Sequence, residues 1–192
     1  LCDIISSLTD ADGRVAVPGF YDNVVELSGQ ERAMLARAPF DMEEYCKFLN
    51  IKEVKGETGY TTLERTGIRP CLDICGIWGG YTGEGAKTVL PSEAHAKVSM
   101  RLVPNQRAEE INRLFAEHIR RIAPPYVRVE VTPHQGGDGF LIPISSDAYR
   151  AASRAMTEVY GIEPVPSRGG GSIPILAEMQ KELGVDPLLM GF

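Results

Sequence analysis

Residues 92–133 constrain the fold more tightly than any other stretch, because the hydrophobic period changes twice within them. In "SEAHAKVSMRLV" (92–103), Ala94, Ala96, Val98, Met100 and Leu102 fall on one side and His95, Lys97, Ser99 and Arg101 on the other. Period-two alternation of this kind predicts a strand with one buried face. Pro104-Asn105 should end the strand and cap a helix. In "QRAEEINRLFAEHIRRI" (106–122), Ile111, Leu114, Phe115, Ile119 and Ile122 form one apolar stripe, the mark of a helix lying on a core. Pro124-Pro125 stops it, and "YVRVEVTP" (126–133) predicts a further strand with Val127, Val129 and Val131 on one face. A sheet with one apolar face needs helices to cover it, so the expectation is an α+β two-layer sandwich.

The flanking segments extend this pattern. "CLDICGIW" (71–78) reads as a strand and "GGYTGEG" (79–85) as a glycine-rich loop. At the start, Leu1, Ile4, Ile5 and Leu8 share a helical stripe. Residues 14–70 read as a helical, loop-rich excursion with three start signals: Ser28 with Glu31, Asp41 with Glu44, and Thr61 with Glu64. Downstream, "SSDAYRAASRAMTEVYG" (145–161) predicts a helix closed by Gly161. "IEPVPS" (162–167) is a short strand or extended loop, and "SIPILAEMQKELG" (172–184) a last helix closed by Gly184. These last elements are too few to make their own core. They are expected to belong to a second domain lying mostly outside the chain. Both ends read like the middle of a larger fold, so a fragment is expected.

A formal net charge of −6 argues against nucleic acid as partner, since phosphates favour a basic surface. No apolar run approaches the ~20 residues a membrane-spanning helix needs. Neither a nucleic-acid nor a membrane partner is therefore expected. Cys2, Cys46, Cys71 and Cys75 form no C-x-x-C pair. Cys71 and Cys75, four residues apart in a strand, would be ~13 Å from each other, too far to share one zinc. Four reduced, mostly buried thiols are expected. The three histidines are far apart in sequence, and a complete zinc site from this chain is not expected.

In "SRGGGSIPI" (167–175), Gly169, Gly170 and Gly171 lead into a helix for which Ser172 suits the N-cap and Pro174 the first turn. Free N–H groups and the helix dipole at such a terminus favour an anion. No Lys follows the glycines and no G-x-G-x-x-G is present, so a carboxylate fits better than a nucleotide phosphate. A flexible loop before a helix is the plain alternative. Taken alone, Arg101 reads as a solvated strand-end charge or structural ion pair, Thr88 as a turn residue, and His134 as a surface loop residue. His118 borders the apolar helix stripe and reads as a satisfied semi-core residue. Trp78 should pack.

Four stretches in this order, "GEGAKTVLP", "SMRLVPNQ", "PHQGGDGF" and "SRGGGSIPI", resemble the dizinc metallopeptidases that include carnosinase, cytosolic nonspecific dipeptidase and acetylornithine deacetylase. The dipeptidase branch is the nearest, and the resemblance covers nearly the whole chain. It implies a ferredoxin-like lid, or dimerisation, domain over residues 1 to about 142, with its first strand preceding Leu1. It implies that residues from about 143 are a partial α/β remnant of the catalytic domain. By resemblance, Arg101 holds the carboxylate end of a small peptide substrate, Gly170, Gly171 and Ser172 cradle that same end, and Thr88 and His134 are lid residues touching substrate. No catalytic residue and no metal ligand is assigned to this chain. Two zinc ions would belong to the full-length enzyme, a homodimer would form through the lid, and a cytoplasmic location is the expectation. Gly169 stands where the dipeptidase pattern commonly has an acidic residue. The alternatives are a non-catalytic association module and an N-acyl or carbamoyl amino acid amidohydrolase of the same family.

Overall fold

The computed structural model describes residues 1–169 and 173–191. The order of elements is α1 (Cys2–Ser6), α2 (Gly29–Leu35), α3 (Met42–Leu49), α4 (Thr62–Gly67), β1 (Cys71–Gly79), β2 (Ala94–Arg101), α5 (Ala108–Ile122), α6 (Asp147–Tyr160) and α7 (Pro174–Leu183). The class is α+β. β1 and β2 pair antiparallel, with Cys71 opposite Arg101, Leu72 opposite Met100 and Trp78 opposite His95. The register slips between Ile74 and Gly76, so Cys75 is the extra residue of a bulge.

The alternation expected for β2 holds. Val98 and Met100, with Leu72 from β1, pack against the core formed by Leu8, Val15, Val17, Phe20, Leu102, Ala108, Ile111, Phe115 and Ile119. The helical stripe of α5 supplies three of those residues, so the sheet is one layer and α5 with the N-terminal segment the other. The opposite sheet face carries Cys71, Asp73, Trp78, His95, Lys97, Ser99 and Arg101. There Trp78 stacks on His95, with ring centroids 5.0 Å apart and 10° between planes. Trp78 remains about half exposed, so its packing is this stack and not burial in the core.

Three expectations need correction. First, residues 126–133 form no strand. The apolar alternation is obeyed, since Val129 and Val131 pack on the core, but a strand also needs a ladder partner. Instead a cavity of about 280 Å³ separates the segment from β2, lined by Val98, Ser99 and Met100 on one side, Val131 to Gly137 on the other, and Ile111 and Phe115 below. Second, α5 begins at Ala108 with Arg107 at the N-cap, and Arg107 makes no side-chain cap bond. Asp138 caps it from a distance, accepting from the Ala108 N–H at 2.8 Å. Asn105 adopts a left-handed turn conformation with φ 73°. The neighbouring Gln106 is buried: it accepts from Val103 N–H at 2.9 Å and donates to the Phe20 carbonyl at 2.7 Å. Third, the cysteines are free but not mostly buried, for Cys2 and Cys75 are exposed and Cys46 and Cys71 half-buried. A bulge at a two-stranded sheet gives Cys75 no layer to enter.

The 14–70 excursion is helical, as its start signals predict. Full capping boxes close at Ser28/Glu31 and Thr61/Glu64, while Asp41 caps α3 without the reciprocal bond. Arg69, 5% exposed, fastens the excursion to the core. It forms a two-pronged pair with Glu57, both bonds at 2.7 Å, and reaches Glu26 at 3.0 Å. Its guanidinium lies over the Tyr60 and Tyr21 rings at 4.3 and 5.1 Å from their centroids. The two-pronged match suits a planar guanidinium withdrawn from water.

α6 is capped by Ser146 and ends at Gly161, and α7 ends at Gly184, both glycines left-handed. α7 starts at Pro174 with Ile173 at the N-cap. The expected cap residue Ser172, with Gly170 and Gly171, lies outside the described residues. Among the described residues no helix is long and apolar enough to cross a membrane.

Candidate functional site

Arg101 ends β2, with its side chain exposed. It lies opposite Cys71 across the ladder, and its positive charge is felt at the Cys71 thiol. Burial and the neighbouring Asp73 outweigh that charge and push the Cys71 thiol up to about 11. Among the described residues no carboxylate pairs with Arg101, a state it shares with Arg65, Arg107, Arg120, Arg121, Arg128 and Arg154, whereas Arg14, Arg32, Arg37, Arg69, Arg113, Arg150 and Arg168 each have one. A strand-end arginine with no acidic partner is free to bind an anion.

His134 lies across the cavity beside β2, with its side chain exposed and its carbonyl accepting from Asn112 at 3.1 Å. The segment that carries it is fixed by close approach. At Gly139 a Cβ would lie 2.3 Å from the Val103 carbonyl carbon and 2.4 Å from its oxygen, so no other residue fits there without moving the chain. Together with the Asp138 cap, this ties "PHQGGDGF" to the β2–α5 junction directly after Arg101. His134 thus shares a cavity with Val98, Ser99, Met100 and Leu102 but not with Arg101, which does not line it. Thr88 stands outside it, exposed in the irregular stretch between the strands.

Gly170, Gly171 and Ser172 lie outside the described residues, and the stem leading to them is described. Arg168 donates to Glu31 at 3.1 Å, and Glu163 lies 3.7 Å from Arg37. Glu31 is held below the usual carboxylate range, chiefly because it accepts from the Ser28 backbone and hydroxyl, with Arg168 adding to the effect. Sequence reasoning missed Asp138, Gln106, the Glu57–Arg69 pair and the Glu31–Arg168 pair. The last two partners stand 137 positions apart, and no local signal connects them. The Trp78–His95 stack was within reach of sequence reasoning, given the register of the two strands.

Among the described residues no group of three or more His, Cys, Asp or Glu side chains could hold a metal ion.

Comparison with known proteins gives the chain's family. The chain is 32% identical to a Cys-Gly metallodipeptidase DUG1 of Candida albicans, over 99% of the chain and 40% of that protein. It is 31% identical to the Beta-Ala-His dipeptidase of Homo sapiens, over 95% of the chain and 36% of that protein. An M20 family metallo-carboxypeptidase, Sso-CP2 from Sulfolobus solfataricus, superposes with a TM-score of 0.83 at 32% identity, covering 96% of this chain and 47% of that one. The chain therefore spans about two fifths of the length of the curated relatives it matches. The family described as peptidase dimerisation domain matches residues 1–127. The chain belongs to the M20 peptidase dimerisation-domain family.

Proposed function

We propose that this chain is the lid, with an adjoining part of the catalytic domain, of a metal-dependent exopeptidase that cleaves dipeptides or similar small amides. On this reading its own task is to grip the substrate's free carboxylate and to join two subunits. The observation that carries the reading is Arg101, an exposed guanidinium at a strand end with no acidic partner among the described residues. Its planar fork suits a carboxylate. The relatives named above are metallodipeptidases and a metallo-carboxypeptidase, whose substrates are peptides. Two zinc ions would supply a metal-bound nucleophile and polarise the scissile carbonyl. The described residues do not fit such a metal pair, so its ligands would come from elsewhere in the protein. His134 and Thr88 would meet the substrate from the lid side, and Gly170, Gly171 and Ser172 would surround the same carboxylate.

The lid would end near residue 142, and a strand preceding Leu1 would fill the cavity between β2 and residues 126–133. The homodimer would form along the edge of β1 that β2 leaves unpaired, where Ile74, Ile77 and Trp78 stand exposed.

The test is made in the full-length enzyme. Arg101→Ala should raise KM for free-carboxylate dipeptides by about a hundredfold, the scale of losing a charge-assisted bidentate contact. KM for the C-amidated forms should change little. Equal losses on both substrates would remove Arg101 from carboxylate recognition.

A further inference from the structure

We infer that Glu31, Arg168 and Gly67 form a positioning device by which the 14–70 excursion fixes the chain at Arg168, directly ahead of Gly169. This rests on the carboxylate-gripping role proposed above and adds the elements that fix the chain leading to the proposed cradle.

Three observations converge. The two oxygens of Glu31 are divided between two tasks: Oε2 accepts from the Ser28 N–H at 3.0 Å and the Ser28 hydroxyl at 2.9 Å, and Oε1 accepts from Arg168 at 3.1 Å. The capping box therefore fixes the direction in which the carboxylate is offered to Arg168. Next, α4 abuts the Arg168 backbone. A Cβ on Gly67 would lie 2.3 Å from the Arg168 carbonyl oxygen and 3.3 Å from its carbon. Gly67 is the last helical residue of α4 and its φ is not left-handed. Helices favour Ala over Gly, so neither helix propensity nor backbone conformation asks for glycine here. The contact with Arg168 does. Finally, α2 and α4 are tied to each other by Arg32 and Glu64 at 3.3 Å, so both contacts come from one joined unit. Arg168 directly precedes the glycines, and fixing its side chain and its carbonyl fixes where Gly169 begins.

The experiment uses the full-length enzyme with free-carboxylate and C-amidated dipeptides. Gly67→Ala adds one methyl group in the path of the Arg168 carbonyl. It should raise KM for the free-carboxylate substrate about tenfold or more, since displacements near 1 Å carry penalties of that order. kcat and the amidated substrate's KM should change less than about twofold. Glu31→Gln keeps the capping box, because Gln serves at that position, but removes the charge. It should raise the same KM about two- to fivefold, the worth of a partly exposed ion pair. Arg168→Gln should match it, the double variant should be no worse than either single one, and Arg168→Lys should retain most of the affinity. A normal KM in Gly67→Ala, or a loss falling equally on both substrates, overturns the device. Should Arg101→Ala itself fail to separate the two substrates, the carboxylate reading falls, and the device is judged by trypsin cleavage after Arg168. Faster cleavage in Glu31→Gln and Gly67→Ala upholds it, and an unchanged rate overturns it.

Discussion

His118 shows how a single buried side chain carries a pH dependence. Arg121 donates to its Nδ1 at 3.0 Å. The arginine has no acceptor to offer, so the ring proton sits on Nε2, which is buried with no partner among the described residues. Burial, and then the Arg121 charge, hold the imidazole below its ordinary range. The unfolded chain therefore binds the proton more readily than the folded one. The stability contributed by neutral His118 is present above the unfolded value of ~6.5 and lost as pH falls through the lower folded value. Urea unfolding of the chain should show stability falling from pH 7 to pH 5, and His118→Gln should flatten that slope. An identical slope in the variant would remove His118 as its source. Glu26 and Glu31 are also held below their ordinary range, with the same sign, but they act below about pH 4.5. The burial of His118 was legible from its place beside the apolar stripe. The orphaned nitrogen was not, because it depends on what other segments bring to it.

Among the elements, those with local causes were the ones the sequence foretold. A capping box is written within four residues, and the boxes at Ser28 and Thr61 both close. The stripe of α5 and the alternation of β2 each have one period and one buried face. The segment 126–133 has the right period and still forms no strand, because a ladder depends on a neighbour that no local pattern supplies. The start of α5 was misjudged for a related reason, as its cap comes from Asp138, thirty positions away. Arg69 is a further non-local tie. Arg69→Ala would leave Glu57, 6% exposed, with only the more distant Arg14 at 3.4 Å as a cationic partner among the described residues. Breaking a buried pair from one side should cost about 3 kcal/mol or more. A loss below about 1 kcal/mol in chemical denaturation would show that the pair does not fasten the excursion.

For the molecule as a whole, the balance of exposed and covered sheet decides how it associates. Fold class and family were legible in the sequence through four separated motifs, whereas the contacts that hold Arg168 to α2 and α4 were not, since they join segments far apart in the chain. If the free edge of β1 joins two copies, Ile77→Asp should shift the protein toward monomer in sedimentation velocity without lowering its melting temperature. A dimer unaffected by that change would place the interface elsewhere. The cavity beside β2 has its own outcome. Among the described residues β2 pairs with β1 alone, so its other edge leaves main-chain donors and acceptors unpaired beside that cavity. If the strand proposed ahead of Leu1 fills that cavity, residues 1–192 without it should be adhesive, gathering into concentration-dependent aggregates by borrowing strands from one another. Restoring about ten residues ahead of Leu1 should suppress the clumping and slow hydrogen exchange at residues 98–102. Unchanged exchange there would mean that the cavity is not meant for a strand.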